Sequence, residues 1–436
     1  MLVFLYICAI QTEVFKFGGA AISTAERVRN MAGILKKCAD DPILVVVSAM
    51  GKTTNALEVV LEHYLDDDHI AIVESFQKVW DYHFEILDSL FDDQDHPVFG
   101  EVGSLFNQLR GYIRKGHLYD KNRRDRDFEY DQMVSYGELI SSAIIRNYLV
   151  LEGISTKLFD VRELIKTDST FRDARVDWVK SRELIFNSIT EYFQHHGKGA
   201  VALTQGFIGS DPRGNTTTLG REGSDFTAAI FAFSLQAKEM TIWKDVPGVM
   251  NADPKLMPDA VCLETLSYRE AIELAYYGAS VIHPKTIKPL ENANIVLKVK
   301  SFLAPESQGT VIENIREWKI PIPIYILKNN QVLISVSTRD FSFILEENLS
   351  EIFRILASFR VKVNIMQNSA ISFSICVDND PHKVLPLIKH LQDNYETRYN
   401  EGLELYTIRH YSDAAVSRII RGRKILMELR SRNLTR

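Results

Sequence analysis

Cysteine is scarce in this chain. The four residues Cys8, Cys38, Cys262 and Cys376 are scattered, with no CxxC pair and no metal-ligand spacing. That argues against a disulfide framework or a cysteine-built metal centre, and it fits free thiols in a reducing cytosol. Long apolar runs are also missing. The stretch 1–10 is apolar but too short to span a bilayer, and it lacks the basic n-region and small-residue cleavage site of a signal peptide. It reads as an extra strand-like segment or an upstream start, and no membrane partner is expected. Basic charge is not in excess: 51 Lys and Arg face 57 Asp and Glu, a net of -6, which argues against a nucleic-acid footprint over the whole chain. What is present is the mix of a soluble globular protein, 46% hydrophobic and 25% charged, at 436 residues too long for one ordinary domain.

Short apolar runs alternate with helical patterns in the first two thirds. Strands are expected at Val14–Phe17, Ile43–Ser48, Ser155–Asp160, Ala200–Thr204, Met240–Trp243 and Asn294–Lys300, an α/β order. Ser23 with Glu26 has the spacing of a capping box opening a helix. From about Leu57 to Asp127 charge and aromatics rise and strand signals vanish, which predicts a helical insertion. Beyond Ile312 the grammar changes. Pro321 and Pro323 mark a linker, and strands at Val332–Ser337, Val361–Ile365, Ser372–Asp378 and Leu403–His410 interleave with helices at Asn348–Phe359 and Pro381–Asp393. That is the β-α-β-β-α-β order of a ferredoxin-like unit. The basic tail Arg418–Arg436 reads as a solvated helix that frays.

A Walker A loop is lacking. Gly51-Lys52-Thr53 resembles its end, but Val46 stands where the first glycine belongs. Other motifs carry more. KFGG at Lys16–Gly19 places a lysine at a strand end before two glycines, Gly18 and Gly19, which let backbone approach a phosphate. TQGFIG at Thr204–Gly209 and TTTLGREGSD at Thr216–Asp225 bring hydroxyls, glycines and Arg221 to a helix start, a place that favours anions. Arg221 offers a bidentate grip on a carboxylate. WKDVPGV at Trp243–Val249 follows the next strand, where open α/β sheets hold ligands. Lys244, Asp245, Asp253 and Lys255 there suit a nucleotide, although the same residues also read as two turns. Glu138 at a helix start is ordinarily a dipole partner, and becomes a site residue only beside a substrate ammonium. His283 reads as structural.

Taken together, KFGG, VVVSAMGKTTN at Val45–Asn55, SYGEL at Ser135–Leu139, TQGFIG, TTTLGREGSD and WKDVPGV resemble aspartokinase in order and in loop content. The resemblance covers about Val14 to Ile312, and the C-terminal region resembles the ACT regulatory domain of that family. It implies an α/β fold: an αβα sandwich amino-acid-kinase domain over 1–312, a linker at 313–321, and an ACT-like α+β domain over 322–436 whose second module is abbreviated. The implied reaction is ATP-dependent phosphorylation of the L-aspartate side-chain carboxylate. By the same resemblance, Lys16 meets the transferring phosphoryl group, and Ser48, Thr54 and Ser224 contact aspartate. Glu138 pairs with the substrate ammonium, Arg221 with its α-carboxylate, Phe207 walls the pocket, and Asp225 shares the catalytic loop. Gly18, Gly19, Lys244, Asp245, Met250, Asp253, Lys255 and Lys285 fall on the nucleotide side, with Mg²⁺ held mainly by ATP.

Departures from the family pattern are local. Glu222 stands where many members have glycine, and either weakens the field on aspartate or points outward. Met250 replaces a common aromatic. Ser280 replaces a lysine found in some members, with Lys285 as a substitute. No homoserine dehydrogenase domain follows, so the resemblance is to a monofunctional enzyme. In related enzymes lysine binds near the region matching Ser342–Asn348, Asn364 and Ser369, so the resemblance implies lysine as effector, with threonine or no effector as the alternatives. ACT pairing implies a homodimer or larger homo-oligomer, in the cytoplasm. Two other readings stand beside this one: a non-catalytic amino-acid sensor, and a sister kinase with another acid substrate.

Overall fold

The computed structural model describes residues 11–38, 41–116, 125–279, 282–315, 322–340 and 342–436. The expected strand-like segment at 1–10 lies outside them, as do Ser280 and Pro321. The chain divides into two compact units. One comprises Met1–Val249, Cys262–Ile272 and Val281–Arg316; the other comprises Met250–Val261, Glu273–Ser280 and Glu317–Arg436.

The first unit carries strands β1 (Glu13–Phe17), β2 (Ile43–Val47), β3 (Thr156–Phe159), β4 (Val201–Gln205), β5 (Ile208–Ser210), β6 (Thr216–Thr218), β7 (Glu239–Lys244), β8 (Thr265–Ser267), β9 (Val296–Ser301) and β10 (Thr310–Glu313). Eight form one sheet in the order β3-β4-β2-β1-β7-β9-β10-β8, and β5 with β6 makes a separate hairpin. From β3 to β9 every neighbouring pair is parallel. The reason is visible in β2, ILVVV, which is buried along its whole length; a strand covered on both faces needs no polar alternation. In β1 the alternation survives. Phe15 and Phe17 both meet the Trp243 ring, so Lys16 between them projects from the opposite face.

The helical insertion is present as Thr53–Leu65, His69–Leu90, Pro97–Gly116 and Arg126–Val134. One apolar cluster joins Val45 and Val47 of the sheet to Leu57, Phe76, Phe106 and Ile140, so these helices share the sheet's core. One cap differs from expectation. The helix Ala25–Lys37 is capped by Thr24, whose hydroxyl accepts from Arg27 N at 3.3 Å, because a short turn over Gly19–Ile22 takes up the chain before it.

The second unit carries β11 (Ile324–Ser337), β12 (Val363–Asn368), β13 (Ser372–Asp378), β14 (Glu396–Arg409), β15 (Arg430–Ser431) and β16 (Leu434–Thr435). They form one antiparallel sheet, β12-β13-β11-β14-β16-β15. Helices Glu346–Ser358 and Pro381–Asn394 complete the expected β-α-β-β-α-β order, and Val332, Ile334, Val336, Ile375 and Val377 pack beneath them. β11 and β14 are longer than the apolar pattern indicates, at 14 residues each, because polar stretches such as Glu396–Glu401 continue the ladder at the exposed end. The tail is a correction. After the helix Asp413–Ile420 it does not fray but turns into β15 and β16, and β16 pairs with β14. An uncovered strand edge offers unpaired backbone groups, and this hairpin covers the last stretch of β14, where Ile408 and Arg409 pair with Thr435 and Leu434. Its basic residues hid the pattern: Arg418 pairs with Asp259, and Arg423 faces Glu404 at 3.6 Å.

Candidate active site

β1, β2 and β4 are parallel neighbours, so their carboxyl ends stand side by side, where open α/β sheets bind ligands. β1 brings Lys16, β2 leads into Ser48–Lys52, and β4 leads into Gly206-Phe207. The helix Gly223–Leu235 starts beside them, and the helix Tyr136–Leu151 adds Glu138 from its first turn. The result is a cleft of about 440 Å³ bordered by Lys16, Gly19, Ser48, Thr54, Glu138, Phe207, Arg221, Ser224 and Asp225. Residues spread over more than 200 positions of sequence thus meet in one place.

Two glycines are forced by close approach. A Cβ on Gly19 would sit 2.6 Å from the Ala49 carbonyl and 2.7 Å from that of Gly51, and a Cβ on Gly206 would sit 2.5 Å from Ser224 Cβ. They let β1 and β4 deliver their loops against the loop after β2 and the helix start. Hydrogen bonds then fix the frame. Ser141 Oγ donates to the Ser48 carbonyl at 2.7 Å, and Phe207 N donates to Thr227 Oγ1 at 2.9 Å.

The electrostatics are uneven. Lys16 Nζ lies 2.7 Å from Asp225 Oδ1, both side chains nearly buried. Glu138 is 2% exposed. Ala49 N donates to its Oε1 at 3.3 Å, while its Oε2 has no hydrogen-bond partner. Burial pushes the Glu138 carboxyl up from its ordinary 4.5 to about 8. Such a group waits for a cation. Glu222 does not point outward; it borders the cleft from a left-handed backbone, φ 54°, with a buried Oε2 that lacks a partner.

The residues assigned to the nucleotide are dispersed. Lys244 ends β7 and Asp245 is exposed just beyond it, next to β1 in the sheet. Gly18 sits between Lys16 and Gly19 without bordering the cleft. Lys285 forms an ion pair with Asp173. Met250, Asp253 and Lys255 belong to the second unit, where Asp253 Oδ1 accepts from Lys255 N at 2.9 Å in a local turn. His283 is structural as read: it caps the helix Pro284–Ala293, its Nδ1 accepting from Lys285 N at 3.2 Å.

Sequence reasoning missed a third cation of the cleft and its support. Arg172 borders the cleft, stacked over the Tyr130 ring at 4.2 Å, with Asp127 3.5 Å away. Its backbone is left-handed, φ 67°. Fully buried Asp131 holds it there, accepting from Arg172 N, from Thr218 N at 2.8 Å and from Thr218 Oγ1 at 2.7 Å. Burial outweighs those donors and pushes its carboxyl up to about 6. No motif marks Asp131 or Arg172; a non-glycine residue at positive φ leaves no sign in sequence. Asp131→Ala strands three donors, each worth about 1–3 kcal/mol when unsatisfied, so a loss of about 3 kcal/mol or more is expected in urea denaturation, with Asp131→Asn losing less.

Among the described residues no group of three or more His, Cys, Asp and Glu is placed to hold a metal ion, and no helix is long and apolar enough to cross a membrane.

Residues 11–301 match the model of the amino acid kinase family. The chain is 33% identical over 308 residues to the bifunctional aspartokinase/homoserine dehydrogenase 1, chloroplastic, of Zea mays, covering 69% of this chain and 32% of that protein. It is 30% identical over 365 residues to the lysine-sensitive aspartokinase 3 of Escherichia coli, covering 84% of this chain and 78% of that one. Among solved structures it is similar to E. coli aspartokinase III in complex with aspartate and ADP, with a TM-score of 0.78, 27% identity, and coverage of 98% of this chain and 95% of that one. The chain spans less than two thirds of the length of several curated plant relatives.

Proposed function

The chain belongs to the amino acid kinase family and, within it, to the aspartokinases, and we propose that it transfers the γ-phosphoryl group of ATP to the side-chain carboxylate of L-aspartate. The product is 4-phospho-L-aspartate, the first step toward lysine, threonine and methionine. One observation carries the reading. Glu138, Arg221 and Lys16 border a single cleft, an array suited to an ammonium, a carboxylate and a transferring phosphoryl group.

The chemistry needs little from the protein beyond charge and position. The free side-chain carboxyl has a pKa of about 3.9 and is already ionised at neutral pH, so no general base is required. A carboxylate oxygen forms a bond to the γ-phosphorus as the bond to the β–γ bridging oxygen breaks; that electron pair leaves with ADP, and no proton moves. The obstacle is repulsion between anions, met by cations and alignment. Lys16 offsets charge on the transferring group and is held by Asp225 at 2.7 Å. The start of the helix Gly223–Leu235 adds backbone N–H groups. Glu138 takes the substrate ammonium, Arg221 its α-carboxylate, Phe207 its carbon chain, and Ser48, Thr54 and Ser224 its remaining polar edges. Gly18, Gly19, Lys244, Asp245 and Lys285 of the first unit serve the nucleotide, Lys285 on leaving Asp173; Met250, Asp253 and Lys255 are assigned to it by resemblance alone. Mg²⁺, a hard cation that prefers oxygen ligands, fits a site offering the Asp225 carboxylate; bound chiefly by the nucleotide phosphates, it would neutralise part of their charge.

Arg172 adds a second guanidinium for this dianionic, singly ammonium substrate. Arg172→Gly relieves the left-handed backbone and is expected to fold normally while raising KM for aspartate about tenfold, the effect of losing roughly 1.4 kcal/mol; steady-state kinetics check it. We further propose a catalytic domain over about 1–312, an ACT-like regulatory domain over 322–436 with lysine or threonine as effector, a homodimer or larger assembly, and a cytoplasmic location without nucleic-acid or membrane partners.

Coupled ADP release with L-aspartate and L-glutamate tests the activity. The longer acid is expected to lose about 10–200-fold in kcat/KM. Turnover independent of aspartate would sink the proposal, and preference for another acid would move the chain to a sister kinase. The unpartnered carboxylate of Glu222 beside Arg221 favours one alternative, a non-catalytic sensor; calorimetry showing amino-acid binding without Mg-ATP binding would select it.

A further inference from the structure

The face of the second unit's sheet opposite the helices Glu346–Ser358 and Pro381–Asn394 is not packed by one core. It carries two small apolar clusters. Ile365, Cys376 and Leu405 gather with Leu333 and Met427; Ile408, Ala415, Val416 and Ile419 gather separately. Members of both line a chamber of about 350 Å³ that the tail residues Arg423–Glu428 help close. That volume falls near the lower end of the roughly 300–1,000 Å³ typical of small-molecule pockets.

The charged side chains lining it are Arg423, Lys424 and Arg436, with Glu404 and Glu428. Both acids are engaged, Glu404 by Arg423 at 3.6 Å and Glu428 by Arg430 at 2.7 Å. Arg436 has no carboxylate partner among the described residues. Its Nε donates to Thr407 Oγ1 at 2.9 Å, its Nη1 donates to the Asn364 carbonyl, and its plane lies over the Tyr277 ring at 5.0 Å. Burial holds its guanidinium below the ordinary value. A half-buried guanidinium with no side-chain carboxylate partner, at the edge of an apolar chamber, is complementary to an anion with an apolar body.

We propose that this chamber binds a short aliphatic carboxylate, its hydrocarbon among Leu333, Ile365, Cys376 and Met427 and its carboxylate on Arg436. This holds independently of the activity proposed above, since it rests on the second unit alone.

Isothermal calorimetry on the full chain tests it, with 4-methylpentanoate, L-leucine and octanoate as probes and 4-methylpentanamide as the neutral isostere. The acid is expected to bind at least tenfold more tightly than the amide, with a negative heat-capacity change from apolar burial. Leu333→Trp, which fills the chamber from β11, is expected to abolish the signal, and Arg436→Gln to weaken acid binding at least tenfold while leaving the amide unchanged. Tighter binding of L-leucine assigns the site to amino acids; tighter binding of 4-methylpentanoate or octanoate assigns it to simple acyl acids. Absence of heat with every acid overturns the proposal, as do equal affinities for acid and amide, a comparison on the unaltered chain that does not depend on the variants folding. A rise in mass by light scattering that Leu333→Trp removes, without acid binding, would assign the chamber to a contact between copies and also overturn it.

Discussion

Replacing Lys16 by methionine is expected to lower kcat by about 10²–10³-fold, the loss seen when one preorganised donor to a developing charge is removed. The geometry makes the residue hard to replace. Lys16 sits on β1, flanked by Phe15 and Phe17 against Trp243, so its stem has one direction to take. Its ammonium is fixed by Asp225 at 2.7 Å, with side chains 11% and 5% exposed. Removing the lysine therefore also strands a buried carboxylate, which costs about 3–5 kcal/mol in comparable buried pairs. The stability effect is isolated in the double variant Lys16→Met/Asp225→Asn, which leaves no buried charge stranded, with Asp225→Asn alone as the reference for kcat because Asp225 also borders the cleft. Urea denaturation should show stability recovered, while kcat stays low. Recovery of both would mean that Lys16 acts only through the fold.

The second large effect concerns Glu138 and pH. Burial penalises the charge and pushes the Glu138 carboxyl up to about 8. A bound ammonium stabilises the ionised form and lowers that value. Below pH 8, binding must therefore expel a proton; above it, the carboxylate is ready. By linkage, KM for aspartate should fall about tenfold per pH unit as pH rises toward 8, then level off. Calorimetry in buffers of different ionisation enthalpy should register proton release at pH 7 and little at pH 9. Glu138→Gln removes the titration and the charge-assisted hydrogen bond, worth about 1.5–3 kcal/mol. At pH 8.5 its KM should be about 10–100-fold higher, its pH profile flat, and its kcat much less changed. A sloping profile in this variant would assign the titration to another group.

How much of this was legible in the sequence depends on how local the cause is. β2 announces itself because ILVVV is apolar throughout, and the strand–loop–helix units carry their glycines with them. Lys16, Ser48, Phe207, Arg221 and Asp225 sit in such contiguous motifs, and one cleft is lined by all five. Asp131 and Arg172 do not. One is a lone carboxylate inside a helix, the other an arginine in a loop, and only the fold joins them, Arg172 N donating directly to Asp131. The helix cap at Thr24 instead of Ser23 turned on a single short turn that composition does not encode. The tail was misread because its arginines suggested a solvated helix, whereas the unpaired edge of β14, a distant feature, decides that it ends in strands. The nucleotide-side assignments divide for a related reason: Lys244 ends β7 and Asp245 follows it, while Met250, Asp253 and Lys255 belong to the second unit.

The central claim is that the cleft phosphorylates the side-chain carboxylate of L-aspartate. Hydroxylamine trapping tests it most directly, because an acyl phosphate is converted to a stable hydroxamate whose position can be read by mass spectrometry. With Mg-ATP, L-aspartate and hydroxylamine, the chain should form the 4-hydroxamate of aspartate in step with ADP, and the Lys16→Met variant should form about 10²–10³-fold less. ADP released without hydroxamate, or hydroxamate on the α-carboxyl carbon, would contradict the account.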